Sequence, residues 1–291
     1  LIVKARALIV SLEPIEMYWA FPGHHAFEEL RVLLAEERYN ELARRVRAIV
    51  RALHSGSYRH HLRSSEPREE HEEIERREEI AEYQPDTPPA LAGMEGVKEA
   101  LETARTCSWA NSPPQDRADL LRRSAETLEA ARGRLIACMR LDADKRPFES
   151  DVEISEAVDF ANYYADRTLD PALLDGTTPL PLGPIVVTPP WNFPCAIPCG
   201  GILAALAAGN PVIIKPAPEV IQTAWEMVRC LWEAGIPKDA LQFLPCPDNE
   251  IGKSLVSSDK IGGVILTGSS LTADLFQSWN DDLKLFAETS G

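Results

Sequence analysis

The sequence has few of the features that mark membrane, secreted or nucleic-acid-binding proteins. No run approaches the roughly 20 apolar residues that a membrane-spanning helix needs. The net charge of −15 leaves no basic excess for a nucleic-acid backbone. Six cysteines in 291 residues are too few for a disulfide-stapled scaffold. We therefore expect no membrane span and no nucleic-acid partner, which is compatible with a soluble cytoplasmic enzyme of one or two domains.

Metal-ligand patterns are also scarce. All six histidines lie between His24 and His71, and neighbours such as His24 and His25 point to different sides of a helix. Cys195 and Cys199 have the spacing C-x3-C, but no second pair of Cys or His lies near them in sequence. We expect solvated histidines, cysteines that behave as small buried hydrophobes, and no metal site.

Glycine-rich phosphate loops are absent as well. The sequence contains no G-x-G-x-x-G motif. Gly252-Lys253-Ser254 matches the end of a P-loop, but Pro247 stands where the first glycine of that motif belongs. The P-loop match is therefore rejected.

A strand–turn–helix–strand pattern is present in the second half. The apolar run 185–188 ends at two prolines, and a Trp-Asn-Phe-Pro turn leads into a segment of small residues. A second apolar run, 211–214, is followed by Lys215. This order is that of a βαβ unit, whose ligands bind outside the carboxyl ends of the strands. Asn192 and Lys215 follow the two strands and are candidate site residues.

The alternation of strands and helices continues to the end of the sequence. We predict strands at 185–188, 211–214, 241–244, 262–266 and 284–287, and helices at about 196–208, 219–234, 249–256 and 270–279. Alternating elements predict an α/β fold with a mostly parallel sheet and right-handed crossovers.

The first half predicts helices and a linker. Apolar spacing indicates an amphipathic helix or helical pair at 27–53, and the charge-dense stretch 66–82 indicates a solvated helix or partly disordered connector. Three prolines within 83–89 mark a linker. Asp175-Gly176 is a turn signal before the period of the pattern changes.

Three more helices are predicted between the linker and that turn. One runs from Val97 to Trp109, and one follows Ser112 as its N-cap with Pro113 at its first position and a buried face that extends to Leu135. A third covers 154–164. We divide the chain into a helical, charge-rich lead-in (1–87), a helical part (88–180) and a Rossmann-like part (181–291).

Five motifs resemble the aldehyde dehydrogenase superfamily, in its order and near its spacings, over about residues 92–291. The motifs are Pro190-Trp191-Asn192-Phe193-Pro194, Ala204-Ala205-Leu206-Ala207-Ala208-Gly209-Asn210, Lys215-Pro216-Ala217, Thr267-Gly268-Ser269 and Glu288-Thr289-Ser290-Gly291. The resemblance implies a helical part followed by a Rossmann-like, mostly parallel sheet, here incomplete, with NAD as cofactor and an aldehyde as substrate.

Two regions narrow the resemblance. Glu288-Thr289-Ser290-Gly291 replaces the superfamily's usual Glu-Leu-Gly-Gly, as in delta-1-pyrroline-5-carboxylate (L-glutamate γ-semialdehyde) dehydrogenases. The first 90 residues resemble the lead-in of bacterial bifunctional proline-utilisation proteins. The resemblance implies proline catabolism, a flavin-dependent proline dehydrogenase domain upstream, and a homo-oligomer when the protein is complete.

The resemblance also implies roles for single residues. Asn192 matches the asparagine that donates its side-chain N–H to the oxyanion of a thiohemiacetal; helix capping is its alternative role. Glu288 matches the glutamate that acts as general base.

The cofactor residues follow in the same way. Lys215 matches the lysine that binds the adenosine ribose, with a solvated lysine as the alternative. Many members have Glu three residues later, where this chain has Pro218 and then Glu219, so Glu219 is the acidic candidate for the cofactor-binding set. Gly268 and Ser269 are expected to open a helix whose N-terminus binds the pyrophosphate. Thr188, Pro189 and Trp191 complete the expected cofactor-binding set; Trp191 shapes the nicotinamide side.

The family's nucleophile is a cysteine a few dozen residues after the position that matches Glu288, and this sequence ends at Gly291. The sequence also lacks an initiating Met. We therefore expect part of a longer enzyme that has no dehydrogenase activity by itself, with Cys195 and Cys199 as ordinary residues. An aldehyde dehydrogenase of another specificity and a non-catalytic dinucleotide-binding module are the alternatives.

Overall fold

The described part of the chain comprises Ile80 and residues 83–169 and 180–290 of a computed structural model. The predicted helix 27–53, almost all of the connector 66–82, the turn Asp175-Gly176 and the final Gly291 lie outside it. The three-part division of the chain stays a prediction.

A parallel sheet is the centre of the described residues. Its strands are β1 (Ile185–Thr188), β2 (Val212–Ile214), β3 (Leu241–Phe243), β4 (Gly263–Ser269) and β5 (Leu285–Ser290). Their order across the sheet is β3-β2-β1-β4-β5, and each neighbouring pair is parallel. The order therefore reverses between β1 and β4, which is the switch point where doubly wound sheets bind ligands. The predicted α/β class is confirmed.

The apolar runs form strands because both faces of the sheet are covered. All four residues of β1 are buried. Ile185 and Val187 pack into one hydrophobic core, and Val186 packs into the other. Val186 lies opposite Ile213 of β2 and Val264 of β4. A parallel strand buried on both sides is continuously apolar rather than alternating, as this one is.

Helices form the two outer layers. They are α1 (Met94–Thr106), α2 (Pro114–Ala130), α3 (Arg132–Ala143), α4 (Pro147–Thr168), α5 (Ala196–Ala207), α6 (Ile221–Glu233), α7 (Glu250–Val256) and α8 (Ser270–Trp279), with short 3-10 turns at Ser108–Asn111 and Pro218–Val220. Residues of α2 to α6 share one core, and residues of α1, α7 and α8 share the other. None of the described helices is long and apolar enough to cross a bilayer.

Helix α5 packs closely because it is built of small residues. A Cβ on Gly200 would lie 3.1 Å from the Phe160 ring of α4, and one on Gly201 would lie 3.1 Å from Cγ1 of Val187 in β1. The helix therefore lies against both the sheet and α4, which sets where the turn before it can lie.

Several predicted helix boundaries are wrong. The helix expected to reach Trp109 ends at Thr106, and Trp109 lies in a separate 3-10 turn. The Trp109 side chain packs in the core shared by α2 to α6, not in the core of α1. Pro113, not Ser112, is the N-cap of α2, so Pro114 is its first residue. Leu135 lies on α3, because α2 ends at Ala130.

Two more boundaries differ from the prediction. The helix expected at 154–164 is longer and begins at Pro147. The strand expected to end at residue 266 continues to Ser269, since Gly268 and Ser269 pair with β5. Gly268 therefore lies in the strand rather than in the helix, and Ser269 is the N-cap of α8.

Candidate active site

The predicted site residues lie at or after the carboxyl ends of four neighbouring strands. Asn192 follows β1, Lys215 follows β2, and Gly268 and Ser269 end β4. Glu288 lies on β5, opposite Thr267 of β4. The topology thus brings these residues to the end of the sheet formed by the carboxyl ends of the strands, on either side of the switch point. Strand β4 lies between Asn192 and Glu288.

The turn that carries Asn192 is exposed, and a lysine from the helical layer binds its main chain. Lys145 lies between α3 and α4 and donates from Nζ to the backbone carbonyl of Asn192 at 2.8 Å. The same ammonium lies 4.5 Å from the ring centroid of Phe193. Lys145 therefore contacts two consecutive residues of the turn and leaves the side chain of Asn192 exposed to solvent.

A buried carboxylate anchors the other end of the turn. Glu153 of α4 is 1% exposed and forms an ion pair with Lys145. It accepts hydrogen bonds from the backbone N–H groups of Cys195 (3.1 Å) and Ala196 (3.3 Å) at the start of α5. An anion is favourable there, because the helix N-terminus carries unpaired donors and positive dipole. Glu153 thus occupies the capping position, and the alternative that Asn192 caps this helix is wrong.

The far end of α5 is held by donors. Arg117 donates from Nε to the carbonyl of Ala207 at 3.1 Å, and the indole of Trp109 donates to the carbonyl of Leu206 at 3.0 Å. A cation near the helix C-terminus complements the carboxylate at the N-terminus. Both ends of the helix that follows the turn are thereby fixed by side chains from the helical layer.

Exposure increases from the end of β1 into the turn. Thr188 is buried, and its hydroxyl donates to the carbonyl of Ile265 at 3.3 Å. Pro189 is half-buried, while Trp191 is 56% exposed. The indole of Trp191 is therefore accessible at the crevice.

Lys215 is buried rather than solvated, so its solvated alternative is wrong. The residue is 8% exposed, and its backbone N–H donates to the carbonyl of Val187 in β1 at 3.0 Å. Its ammonium forms an ion pair with Asp248, which follows β3. Glu219 is exposed in the 3-10 turn at Pro218–Val220. Asp248, which no sequence motif marks, is the carboxylate at Lys215.

The end of β4 leads directly into α8. The Ser269 hydroxyl accepts a hydrogen bond from the backbone N–H of Thr272 at 3.1 Å. The hydroxyl groups of Ser269 and Thr272 share a second hydrogen bond of 2.9 Å. A Cβ on Gly268 would meet only the Leu266 side chain, at 3.7 Å, so the main chain here is open to close approach. The start of α8 therefore offers backbone donors beside an unobstructed main chain.

The cysteines lie away from this chemistry. Cys195 and Cys199 are completely buried, and burial raises the pKa of both thiols, which confirms that they behave as small buried hydrophobes. Burial also raises the pKa of Cys138 and of Cys230 to about 12. Among the described residues, no group of three or more His, Cys, Asp or Glu side chains is arranged to hold a metal ion.

Lys215 and the start of α8 together suit the adenosine half of a dinucleotide. A buried ammonium suits ribose hydroxyls as a donor, and a helix N-terminus beside Gly268 suits a pyrophosphate. A Cβ on Gly252 would lie 2.7 Å from the Pro247 carbonyl oxygen and 3.3 Å from Cε of Lys215. The glycine thus lets a loop and the lysine meet closely at this place.

The chain is similar to several known proteins. Bifunctional protein PutA of Klebsiella aerogenes is 41% identical over 183 residues, which cover 62% of this chain and 14% of that protein. 1-Pyrroline-5-carboxylate dehydrogenase of Oceanobacillus iheyensis is 35% identical over 196 residues, covering 62% of this chain and 38% of that protein. The structure of proline utilization A (PutA) from Corynebacterium freiburgense superposes with a TM-score of 0.66 at 37% identity, over 74% of this chain and 22% of that chain.

The chain therefore spans well under half the length of each of these proteins. The model of the aldehyde dehydrogenase family matches residues 69–290. Since that match covers more than half of the sequence, the chain belongs to the aldehyde dehydrogenase family.

Proposed function

We propose that this chain supplies the cofactor-binding part of an NAD-dependent L-glutamate γ-semialdehyde dehydrogenase. The observation that carries the proposal is the placement of Asn192 and buried Lys215 after adjacent strands β1 and β2, beside the switch point of the sheet. The relatives named 1-pyrroline-5-carboxylate dehydrogenase and PutA support L-glutamate γ-semialdehyde as the substrate. Membership of the aldehyde dehydrogenase family supports oxidation of an aldehyde as the reaction.

Each side chain has one task in the proposed reaction. Lys215 binds the adenosine ribose, the start of α8 with Gly268 and Ser269 binds the pyrophosphate, and Trp191 lines the nicotinamide side with Thr188 and Pro189. NAD supplies the acceptor for the hydride that leaves the aldehyde carbon. The carbon gains a hydroxyl from water, and the net products are a carboxylate, NADH and two protons.

Asn192 and Glu288 act on the reacting atoms. The amide N–H of Asn192 donates to the aldehyde oxygen as the family's thiol adds to the carbon and negative charge develops on that oxygen. After the hydride has left, Glu288 accepts a proton from the water that hydrolyses the thioester and releases the thiol. Lys145 and Glu153 hold the main chain of the turn, so the position from which the Asn192 side chain extends is set before the substrate binds. A preorganised donor needs no reorganisation at the moment of reaction, which is why such groups contribute strongly to rate.

The thiol nucleophile of the family is a separate part of the proposal. A nucleophilic cysteine needs access and a lowered pKa. All six thiols of this sequence are free, and burial raises the pKa of each. We therefore propose that none of them is the nucleophile and that residues 1–291 by themselves have no dehydrogenase activity.

The proposed assembly follows the relatives. Proteins named bifunctional PutA or proline utilization A support an upstream flavin-dependent proline dehydrogenase domain and a role in proline catabolism. A homo-oligomer of the full-length protein in the cytoplasm belongs to the same proposal. Size-exclusion chromatography with light scattering of the full-length protein tests the oligomer, and a monomer at micromolar concentration would remove it.

Steady-state kinetics of the full-length protein test the proposed function. NAD reduction with L-glutamate γ-semialdehyde should proceed with a higher kcat/KM than with an unbranched aldehyde such as propanal. Asn192→Ala should lower kcat about 10²- to 10³-fold, the effect of removing one oxyanion donor. Asn162→Ala is the matched control, because the Asn162 side chain is exposed and bonds only to a carbonyl of its own helix.

Two results would contradict this account in different ways. Equal or better kcat/KM with propanal would favour an aldehyde dehydrogenase of another specificity. Full activity of the Asn192→Ala protein would remove Asn192 from the reaction and leave the family assignment untouched.

A further inference from the structure

The ion pair between Lys215 and Asp248 is unusual in its asymmetry. The Lys215 side chain is 9% exposed, whereas the Asp248 side chain is 62% exposed. The carboxylate therefore meets the lysine at the surface of the crevice and keeps oxygen atoms open to the solvent. A ligand that reaches the ammonium of Lys215 must pass beside Asp248.

The loop that carries Asp248 is held on both sides of it. The backbone N–H of Gly252 donates to the Pro247 carbonyl at 3.1 Å, and the side chain of Asn249 accepts from the N–H of Ile251 at 2.9 Å. A side chain at Gly252 would collide with the Pro247 carbonyl oxygen. The start of α7 thus holds the main chain that carries Asp248, and the ion pair with Lys215 places its carboxylate.

A carboxylate at this place has a definite preference. In doubly wound folds an acidic side chain accepts hydrogen bonds from the adenosine ribose of NAD, whereas the 2′-phosphate of NADP needs a positively charged partner. A phosphomonoester carries about −1.5 to −2 charges near pH 7. Asp248 neutralises Lys215 and adds its own negative charge, so both effects disfavour the phosphate.

We propose that Asp248, acting with Lys215, selects an adenosine ribose without a 2′-phosphate and so makes the site prefer NAD to NADP. The proposal rests on the cofactor site of the proposed function. The carboxylate at the adenosine ribose then comes from the loop after β3. It does not come from the turn after Lys215, where Pro218 stands at the position of the family's Glu and Glu219 is exposed.

Calorimetric titration of the full-length protein with two adenosine fragments tests this inference. The fragments are 5′-AMP and adenosine 2′,5′-bisphosphate, which differ only in the 2′-phosphate. The wild-type protein should bind 5′-AMP more tightly. Asp248→Asn should lower the ratio of the two affinities about tenfold or more, chiefly by strengthening the bisphosphate complex, because a like-charge contact is removed and Lys215 is released.

Two further variants serve as controls. Asp248→Glu keeps the charge and should retain the wild-type preference. Asp259→Asn makes the same change of net charge at an exposed site before β4, at the opposite edge of the sheet, and should leave the ratio unchanged.

The outcomes separate this inference from the proposed function. An unchanged ratio in the Asp248→Asn protein would overturn the role of Asp248 while leaving the cofactor site intact. Equal binding of 5′-AMP by the wild type and by Lys215→Ala would remove the cofactor site itself, and the inference with it. A wild-type protein that prefers the bisphosphate would also overturn the inference.

Discussion

The turn that carries Asn192 depends on an ion pair between half-buried Lys145 and buried Glu153. Lys145 contacts the turn, and Glu153 contacts both Lys145 and the start of α5. Each charge has a charged partner and further hydrogen bonds, which is the condition under which buried ions are tolerated. Removing one partner leaves the other buried without compensation.

We predict that Lys145→Met lowers the free energy of unfolding by about 3 kcal/mol or more, because Glu153 keeps its burial and loses its counterion. Urea denaturation at neutral pH measures the change. Lys98→Met is the matched control: both side chains of the Lys98–Glu95 pair are largely exposed, and its loss should cost less than about 1 kcal/mol. Equal effects of the two substitutions would contradict the anchoring role.

The sequence alone selects some of these residues as candidates and passes over others, for a physical reason. Asn192 and Lys215 are candidates from the sequence because each follows an apolar run within four residues, and that relation is local. Lys145 and Asp248 were missed, since their partners lie 47 and 33 residues away in sequence. Contacts at that distance are set by packing of α4, α5 and α7, which leaves no periodic signal.

Helix α7 shows how one element positions the cofactor lysine. Its third residue, Gly252, lies where a side chain would collide with the Pro247 carbonyl oxygen and press on Lys215. Glycine is a weak helix former, so its presence costs about 0.5–1 kcal/mol relative to alanine in the absence of such contacts. The close approach of the loop therefore outweighs helix propensity here.

We predict that Gly252→Ala destabilises the protein by about 1–3 kcal/mol, as overpacking does, and weakens binding of 5′-AMP by displacing Lys215. Gly96→Ala is the matched control, because Gly96 is also the third residue of its helix, α1, and its Cβ would meet only the methyl group of Ala92, at 3.1 Å. That variant should be neutral or stabilised by up to about 1 kcal/mol. Thermal unfolding of both variants decides; stabilisation by Gly252→Ala would contradict the account.

Element boundaries were predicted best where composition changes sharply. The strand 185–188 was placed correctly because prolines follow it directly. The end of β4 was placed three residues early, since Thr267, Gly268 and Ser269 are polar or small and are kept in the strand only by pairing with β5. The separation of α2 from α3 was also missed, because the apolar spacing continues from Leu128 to Leu135 across the break.

The stability of the whole molecule depends on pH through its buried thiols, which stay protonated in the folded state. Burial raises the pKa of all six cysteines in the folded state, in two cases to about 12. In the unfolded chain the thiols ionise near pH 8.5, roughly the reference value. The unfolded state therefore releases protons that the folded state retains, and stability falls as the pH rises above that value.

We predict that the free energy of unfolding decreases between about pH 8.5 and 10.5, by roughly 1.4 kcal/mol per pH unit for each thiol that stays protonated in the folded state. Replacing Cys138 and Cys230 by alanine should make this decrease shallower, since both thiols are completely buried. Urea titrations at a series of pH values measure the slope. An identical slope in the double variant would show that these thiols do not contribute.

The proposed activity depends on a dinucleotide site built around Lys215 at the carboxyl ends of the strands. Calorimetric titration of NAD into the full-length protein and its Lys215→Ala variant tests this most directly, with Lys98→Ala as the exposed-lysine control. Because a charged hydrogen bond contributes about 1.5–3 kcal/mol, we expect Lys215→Ala to weaken NAD binding about tenfold or more and Lys98→Ala to leave it unchanged. Undiminished binding by the Lys215→Ala protein would contradict the account.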